Sequence, residues 1–258
     1  MKIVIIGSGN VATHLSLALK AKGENIIQVY SKTITHAEEL AAKLSCDVAS
    51  HIANIRTDAD AYIFSVKDDA VIALLREIVK CANEEAVFIH TAGSIPLPVL
   101  DGMSRHCGVL YPMQTFSKMR NVDFAHIPCF IEASDEKAMG VVRSLAASIS
   151  ESVHEVSSEK RKKLHLAAVF ACNLTNHCYR LAEKVLQEDG LDFNLFLPLI
   201  NETAKKVNEM SPRDAQTGPM VRYDQGVMNM QMSLISDERT REIYRLMADS
   251  IHEDVRLK

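Results

Sequence analysis

The sequence predicts an α/β fold in which a doubly wound, mainly parallel sheet is followed by an all-α region. Three observations carry this expectation. Short apolar runs alternate with helical patterns through the first half of the chain, the signature of βαβ units. A glycine turn, Gly7-Ser8-Gly9, follows the first apolar run directly and opens a helix. After Ser157 the strand pattern stops and only helical periodicity remains. Domains are therefore expected at 1–156 and 157–258.

Taken in order, strands are expected at 3–6, 26–30, 46–49, 61–66, 86–90, 109–111, 129–133 and 153–156. Several are apolar throughout, as strands covered on both faces should be. The first helix begins after Asn10, turns Val11, Leu15, Ala18 and Leu19 inward, and ends at Lys20, Lys22 and Gly23. Thr35 and Glu38 have capping-box spacing for the second. Asp69 offers a cap to the helix carrying Val71, Ile72, Leu75 and Ile78. Beyond Ser157 a long helix is expected over 158–189, closed by Gly190, with others near 194–210, 224–235 and 237–252. The run Glu159-Lys160-Arg161-Lys162-Lys163 reads as the solvated start of the long helix.

Composition narrows the function classes. The chain has 258 residues, 47% hydrophobic and 24% charged, with a net charge of −4. That is the balance of a globular protein long enough for two domains. No basic field draws it toward nucleic acid or anionic lipid, so a small-molecule ligand is expected. Neither the apolar run 3–6 nor any later one approaches the ~18 residues of a signal or membrane segment. The 6 cysteines are scattered without a C-x-x-C pair, which fits a reducing cytoplasm without disulfides. No metal site is expected, because the histidines lack ligand spacing.

The turn Gly7-Ser8-Gly9-Asn10-Val11-Ala12 has the context a dinucleotide fingerprint requires, strand before and helix after. Gly7 permits the tight turn, Gly9 lets the backbone approach a pyrophosphate, and Ala12 allows close helix packing. The helix start then offers free N–H groups to phosphate. This is a Rossmann pattern. At the end of the second strand, where an acid would read the 2′-hydroxyl of NAD, the chain has Tyr30-Ser31-Lys32-Thr33. Two hydroxyls and an ammonium suit a 2′-phosphate, so NADP is the expected cofactor.

In open α/β sheets ligands sit beyond the carboxyl ends of the strands. There the chain supplies Ser65, Val66 and Lys67 after the fourth strand, and Thr91, Ala92, Gly93 and Ser94 after the fifth, with His90 at that strand's end. The long helix is uncharged from Leu164 to Tyr179. At 100° per residue, Leu164, Ala168, Ala171, Thr175 and Ala182 make a stripe suited to close helix packing. His165, Asn173, Asn176 and Arg180 fall within about 80° on the other side. A helix covered on both sides predicts a homodimer formed through the residues after 157.

Over essentially its whole length the chain resembles a group of Rossmann-fold NADP oxidoreductases whose helical C-terminal domain has no assigned function. The matching segments are GSGNVA at 7–12, HTAGSIPLPVL at 90–100, YPMQTFS at 111–117, HLAAVFACN at 165–173 and TGPMVRYD at 217–224. That group usually has His where this chain has Tyr111. More distantly it is similar to pyrroline-5-carboxylate reductase, ketopantoate reductase, and the 6-phosphogluconate and 3-hydroxyisobutyrate dehydrogenases. That resemblance implies Val66-Lys67 beside a nicotinamide and Asn173 acting on substrate. The hydroxyacid dehydrogenases have a lysine on this helix, where the present chain offers His165.

These readings converge on hydride transfer between NADP(H) and a small oxo acid, hydroxyacid or imine. Thr91, Gly93 and Ser94 would hold an oxygen, Asn173 would orient the reacting group, and His165 would exchange the proton. Arg222, after the turn Gly218-Pro219, would pair with a substrate carboxylate. Plainer roles remain open there, with Asp224 as a helix cap and Arg222 as a surface charge. The rival function is a non-catalytic NADP(H)-binding regulator, since a fold alone does not give activity.

Overall fold

The computed structural model describes residues 1–256, so Leu257 and Lys258, the end of the expected second domain, lie outside the described residues. It begins with β1 (Lys2–Ile6), α1 (Asn10–Ala21), β2 (Asn25–Tyr30), α2 (Ile34–Leu44) and β3 (Asp47–Ala49). β4 (Ala61–Phe64), α3 (Asp68–Val79), β5 (Val87–His90), β6 (His106–Pro112), β7 (Cys129–Ala133), α4 (Glu136–Ile149) and β8 (Val153–Glu155) complete an 8-stranded sheet. Its order is β3-β2-β1-β4-β5-β6-β7-β8, parallel except where β6 meets β7.

Alternate side chains of each strand enter two cores. On one face Ile3, Ile5, Ile63 and Ile89 meet Leu15, Leu19, Leu40 and Leu145 from α1, α2 and α4. On the other, Val4, Ile6, Phe64 and Phe88 meet Val71, Leu75 and Ile78 of α3. Burial on both faces accounts for the apolar strand sequences.

Local details depart from the sequence expectations. α1 buries Ala12, Thr13, Leu15, Ser16 and Leu19, leaving Val11 and Ala18 at the margin; its inward face includes two hydroxyl residues that apolar patterning passes over. Thr33, not Thr35, precedes α2, and its side chain makes no capping bond, so no capping box forms at Thr35 and Glu38. Asp69 is not a cap either, because α3 already starts at Asp68 with Lys67 before it. β4 stops at Phe64, releasing Ser65 and Val66 from the sheet. β6 runs longer than expected because β5 pairs with His106 through Val109 and its antiparallel partner β7 with Gly108 through Pro112.

The long helix is continuous in sequence but not in kind: α5 (Ser158–Ala168), a π-helical segment Val169–Leu174, then α6 (Thr175–Glu188). The wider π turn takes one more residue per hydrogen bond, so a 100° projection does not carry across it. Arg161 also departs from expectation. Within a charge run read as solvated, it is fully buried and paired with Glu132.

By contact density the chain divides into Met1–Cys172 and a second unit beginning at Asn173, later than the boundary drawn at 157. α5 accompanies the sheet because Ser158 and Arg161 hold Glu132 of β7. The second unit contains α6, α7 (Leu197–Glu209), α8 (Pro212–Ala215), α9 (Pro219–Arg222), α10 (Gln225–Ser233) and α11 (Glu238–Arg256). The two short helices α8 and α9 had no periodicity to betray them. Asp224 caps α10 by accepting from the Val227 amide at 3.2 Å, and Tyr223 stacks on His252 at 4.2 Å. An apolar groove of about 300 Å³ runs between Leu181, Val185, Ile243 and Met247.

Candidate functional site

The strand order reverses between β1 and β4, and a crevice forms where such a reversal occurs. Gly7 leaves β1 with φ +120°, and a Cβ there would stand 2.3 Å from the Ser65 carbonyl oxygen. Only glycine tolerates both the dihedral and the approach. Gly9 is different. Its backbone is extended (φ −74°, ψ −172°), and nothing lies within 4 Å of where its Cβ would stand.

The start of α1 is left bare. Gly9 contributes no side-chain cap and the first turn has no acid, whereas α4, α5 and α10 are capped by Asp135, Ser157 and Asp224. Free N–H groups and the positive end of the helix dipole therefore face open space, which suits phosphate. Ser8 ties this turn to the end of β2 by donating to Ser31 Oγ at 3.0 Å. Asn10 reaches the other way, donating to the Phe116 carbonyl at 2.8 Å.

Around these groups lies a cavity of about 1020 Å³. Every residue assigned to the cofactor lines it: Gly7, Ser8, Gly9, Asn10 and Val11 from the turn, Ser31, Lys32 and Thr33 after β2, Ser65, Val66 and Lys67 after β4, and Thr91, Ala92 and Gly93 after β5. Its size, its bare helix start and its two lysines fit a phosphorylated dinucleotide. Asp68 is the lone carboxylate of the lining, and it accepts from Ser94. That contact engages the Ser94 hydroxyl, and Ser94 does not line the cavity. Thr91 and Ser65 bond each other at 3.0 Å, fixing two neighbouring strand ends.

His165 lines the same cavity. Its ring lies over Gly93, where a Cβ would come within 2.6 Å of Nδ1, and Nδ1 stands 3.0 Å from the Tyr111 hydroxyl. Beneath it, Arg161 bonds Glu132 and the Ile95 carbonyl, while Ser158 donates to Glu132 Oε2 at 2.7 Å and accepts from the Leu97 amide at 2.8 Å. His90 is fully enclosed, and burial, with a smaller contribution from Arg161, pushes its pKa down to about 3. It is a neutral structural group whose Nδ1 accepts from the Ala92 amide. Burial raises the Tyr111 pKa against the opposing effect of Arg161, so the phenol stays protonated.

The remaining assigned residues, Asn173 and Arg222, lie in the second unit, both exposed. Sequence reasoning assigned no role to Tyr111, Pro112 and Gln114, which also line the cavity. The signal was present, since Tyr111 and Pro112 end an apolar strand and Gln114 follows it. Glu132 and Arg161 left no such trace, because their pairing joins distant parts of the chain.

Residues 2–93 match the family described as NADP oxidoreductase, coenzyme F420-dependent, and residues 127–251 match the domain of unknown function DUF2520. The Bacteroides fragilis protein BF3122, assigned as an NADP oxidoreductase, is 48% identical, with 98% of each chain covered and a TM-score of 0.94. This chain belongs to the same Rossmann-type oxidoreductase family. The 1-pyrroline-5-carboxylate reductase of Streptococcus pyogenes, 17% identical, shares the fold over 98% of each chain with a TM-score of 0.65. The pyrroline-5-carboxylate reductase of Pseudomonas aeruginosa is 28% identical over 102 residues, 39% of this chain and 37% of that protein. The matched stretch thus spans little more than a third of that curated relative. No described helix is long and apolar enough to cross a membrane.

Proposed function

We propose that this protein is an NADP-dependent oxidoreductase that transfers a hydride between NADP(H) and a small oxo acid, hydroxyacid or imine. The observation that carries the reading is the uncapped start of α1 opening into a large cavity that His165 also lines. The nicotinamide, when bound, supplies the hydride chemistry. Gly9 and the α1 amides would hold the pyrophosphate, and Ser31, Lys32 and Thr33 the 2′-phosphate. His165, of a residue type suited to proton exchange near neutral pH, would give or take the proton. Asn173 and Arg222 are assigned to orienting the substrate and its carboxylate. The test is a screen of oxo acids, hydroxyacids and imines for oxidation of NADPH or reduction of NADP, with His165→Gln alongside. Turnover that His165→Gln leaves unchanged would sink the proton-exchange role. NADPH should bind at least ~10-fold more tightly than NADH, about 1.4 kcal/mol; equal affinities in a fluorescence titration would overturn the 2′-phosphate assignment.

We further propose that the protein works in the cytoplasm as a homodimer joined through its helical region. Leu166, Phe170 and Leu174, spaced four apart, are 58%, 63% and 45% exposed, more apolar surface than a single helix ordinarily shows to water. Light scattering should give twice the 28.6 kDa chain mass, and a monomer would refute the assembly.

A further inference from the structure

Tyr111 belongs to β6 and meets α5 through the hydrogen bond of its hydroxyl with His165 Nδ1 at 3.0 Å. The two rings are edge-on, centroids 5.8 Å apart at 76°. The imidazole is held from two further directions. Gly93 leaves room for it on the Nδ1 edge, and Arg161, about one turn earlier on the same helix, is anchored in the interior. Tyr111 is itself held by Phe130, ring centroids 6.3 Å apart. Nδ1 is thus committed to the phenol. Nε2, on the opposite edge of the ring, has no hydrogen-bond partner among the described residues.

We propose that Tyr111 is a positioning residue that keeps His165 in the Nδ1–H tautomer, so that Nε2 is the atom that exchanges a proton with the substrate. The proposal rests on the reading of His165 as the proton-exchanging group. In the reducing direction the imidazolium carries a proton on each nitrogen. The Nε2 proton passes to the substrate oxygen or nitrogen as a hydride reaches the adjacent carbon, and Nδ1 keeps its proton. The substrate gains a hydride and a proton, two electrons and two protons in all, NADPH is oxidised, and His165 becomes neutral. In the oxidising direction the Nε2 lone pair takes the proton back. The phenol oxygen accepts from Nδ1–H in both charge states, so one contact serves the whole cycle. A phenol that instead donated to Nδ1 would leave the neutral ring protonated at Nε2, with no lone pair for the return step.

The test is Tyr111→Phe, which removes the hydroxyl and keeps the ring against Phe130. Long-range ¹⁵N–¹H spectra of histidine-labelled protein, assigned with His165→Gln, report the tautomer without any substrate. Wild-type protein should show neutral His165 as Nδ1–H, and Tyr111→Phe should shift it toward Nε2–H with the near-ultraviolet circular dichroism unchanged. With a substrate from the screen, kcat should fall by about 10- to 100-fold, the KM for NADPH should stay within about twofold, and the pH profile of kcat should change. An Nε2–H tautomer in the wild type, the same tautomer in the variant, or an unchanged kcat where His165→Gln lowers it would overturn the proposal. If His165→Gln leaves kcat unchanged, it is the proton-exchange reading that fails, and the tautomer spectra still decide whether Tyr111 sets the ring.

Discussion

Gly9 and Gly7 stand two residues apart in one turn, yet the structure assigns them opposite sensitivities to a single methyl group. At Gly9 the backbone is one that any residue adopts and the Cβ position is open. Gly9→Ala should therefore leave unfolding free energy unchanged or raise it by about 0.4–1 kcal/mol, through the less flexible unfolded chain. The open space is where a phosphate would approach the α1 amides. Charge-assisted hydrogen bonds there form near ~2.9 Å and contribute about 1.5–3 kcal/mol each, so a methyl that displaces the phosphate by about one such bond should weaken NADPH binding ~10- to 100-fold. Gly7→Ala should do the reverse, since its Cβ would meet the Ser65 carbonyl at 2.3 Å in a φ +120° conformation. Clash and strain together should cost about 3 kcal/mol or more. Urea denaturation and NADPH fluorescence titration of both variants measure the two effects. Wild-type NADPH affinity in Gly9→Ala, or destabilisation equal to that of Gly7→Ala, would refute the placement of the pyrophosphate at this helix start.

Three further outcomes follow from the same geometry. Arg161→Met should destabilise the protein by about 3–5 kcal/mol in urea, because it strands the largely buried Glu132 without its cation; a loss below about 1 kcal/mol would show the pair to be dispensable. His90 is neutral when folded, with its pKa held near about 3, and protonates near 6.5 when unfolded. Its contribution is therefore complete above about pH 6.5 and lost as pH falls toward 3, about 2 kcal/mol of it by pH 5; His90→Gln should flatten that part of the stability profile, and an unchanged slope would contradict it. With an identified substrate, Arg222→Ala should raise KM strongly and Asn173→Ala should chiefly lower kcat, and wild-type kinetics in both would remove them from the site.

The sheet was legible because its code is local. Ile3 to Ile6 followed by Gly7, or Val87 to His90 followed by Thr91, announces a strand end by composition alone, and cofactor residues cluster at such ends by topology. Helix details were less legible, because they depend on what lies across from them. Ser16 is buried because its hydroxyl reaches the Thr13 carbonyl at 3.2 Å, and no hydrophobicity pattern marks that. Arg161 sits in a run of five charged residues, and only its partner 29 residues away distinguishes it from the exposed Lys160 and Lys163. The π-helical segment is similarly silent, since Val169 to Leu174 would satisfy an α-helix equally well by propensity.

His165 belongs to the unit that ends at Cys172, together with every residue lining the cavity of about 1020 Å³. In the proposed reaction the groups that deliver hydride and proton are thus fixed to one folded body, where displacements of about 1 Å cost rate heavily. Of the assigned residues after 172, Asn173 shares that constraint through the reacting group it would orient, whereas Arg222 is assigned to recognition alone. Substitution at Arg222 is free to alter which molecule is recognised while the distance between the two transferred hydrogens is inherited intact.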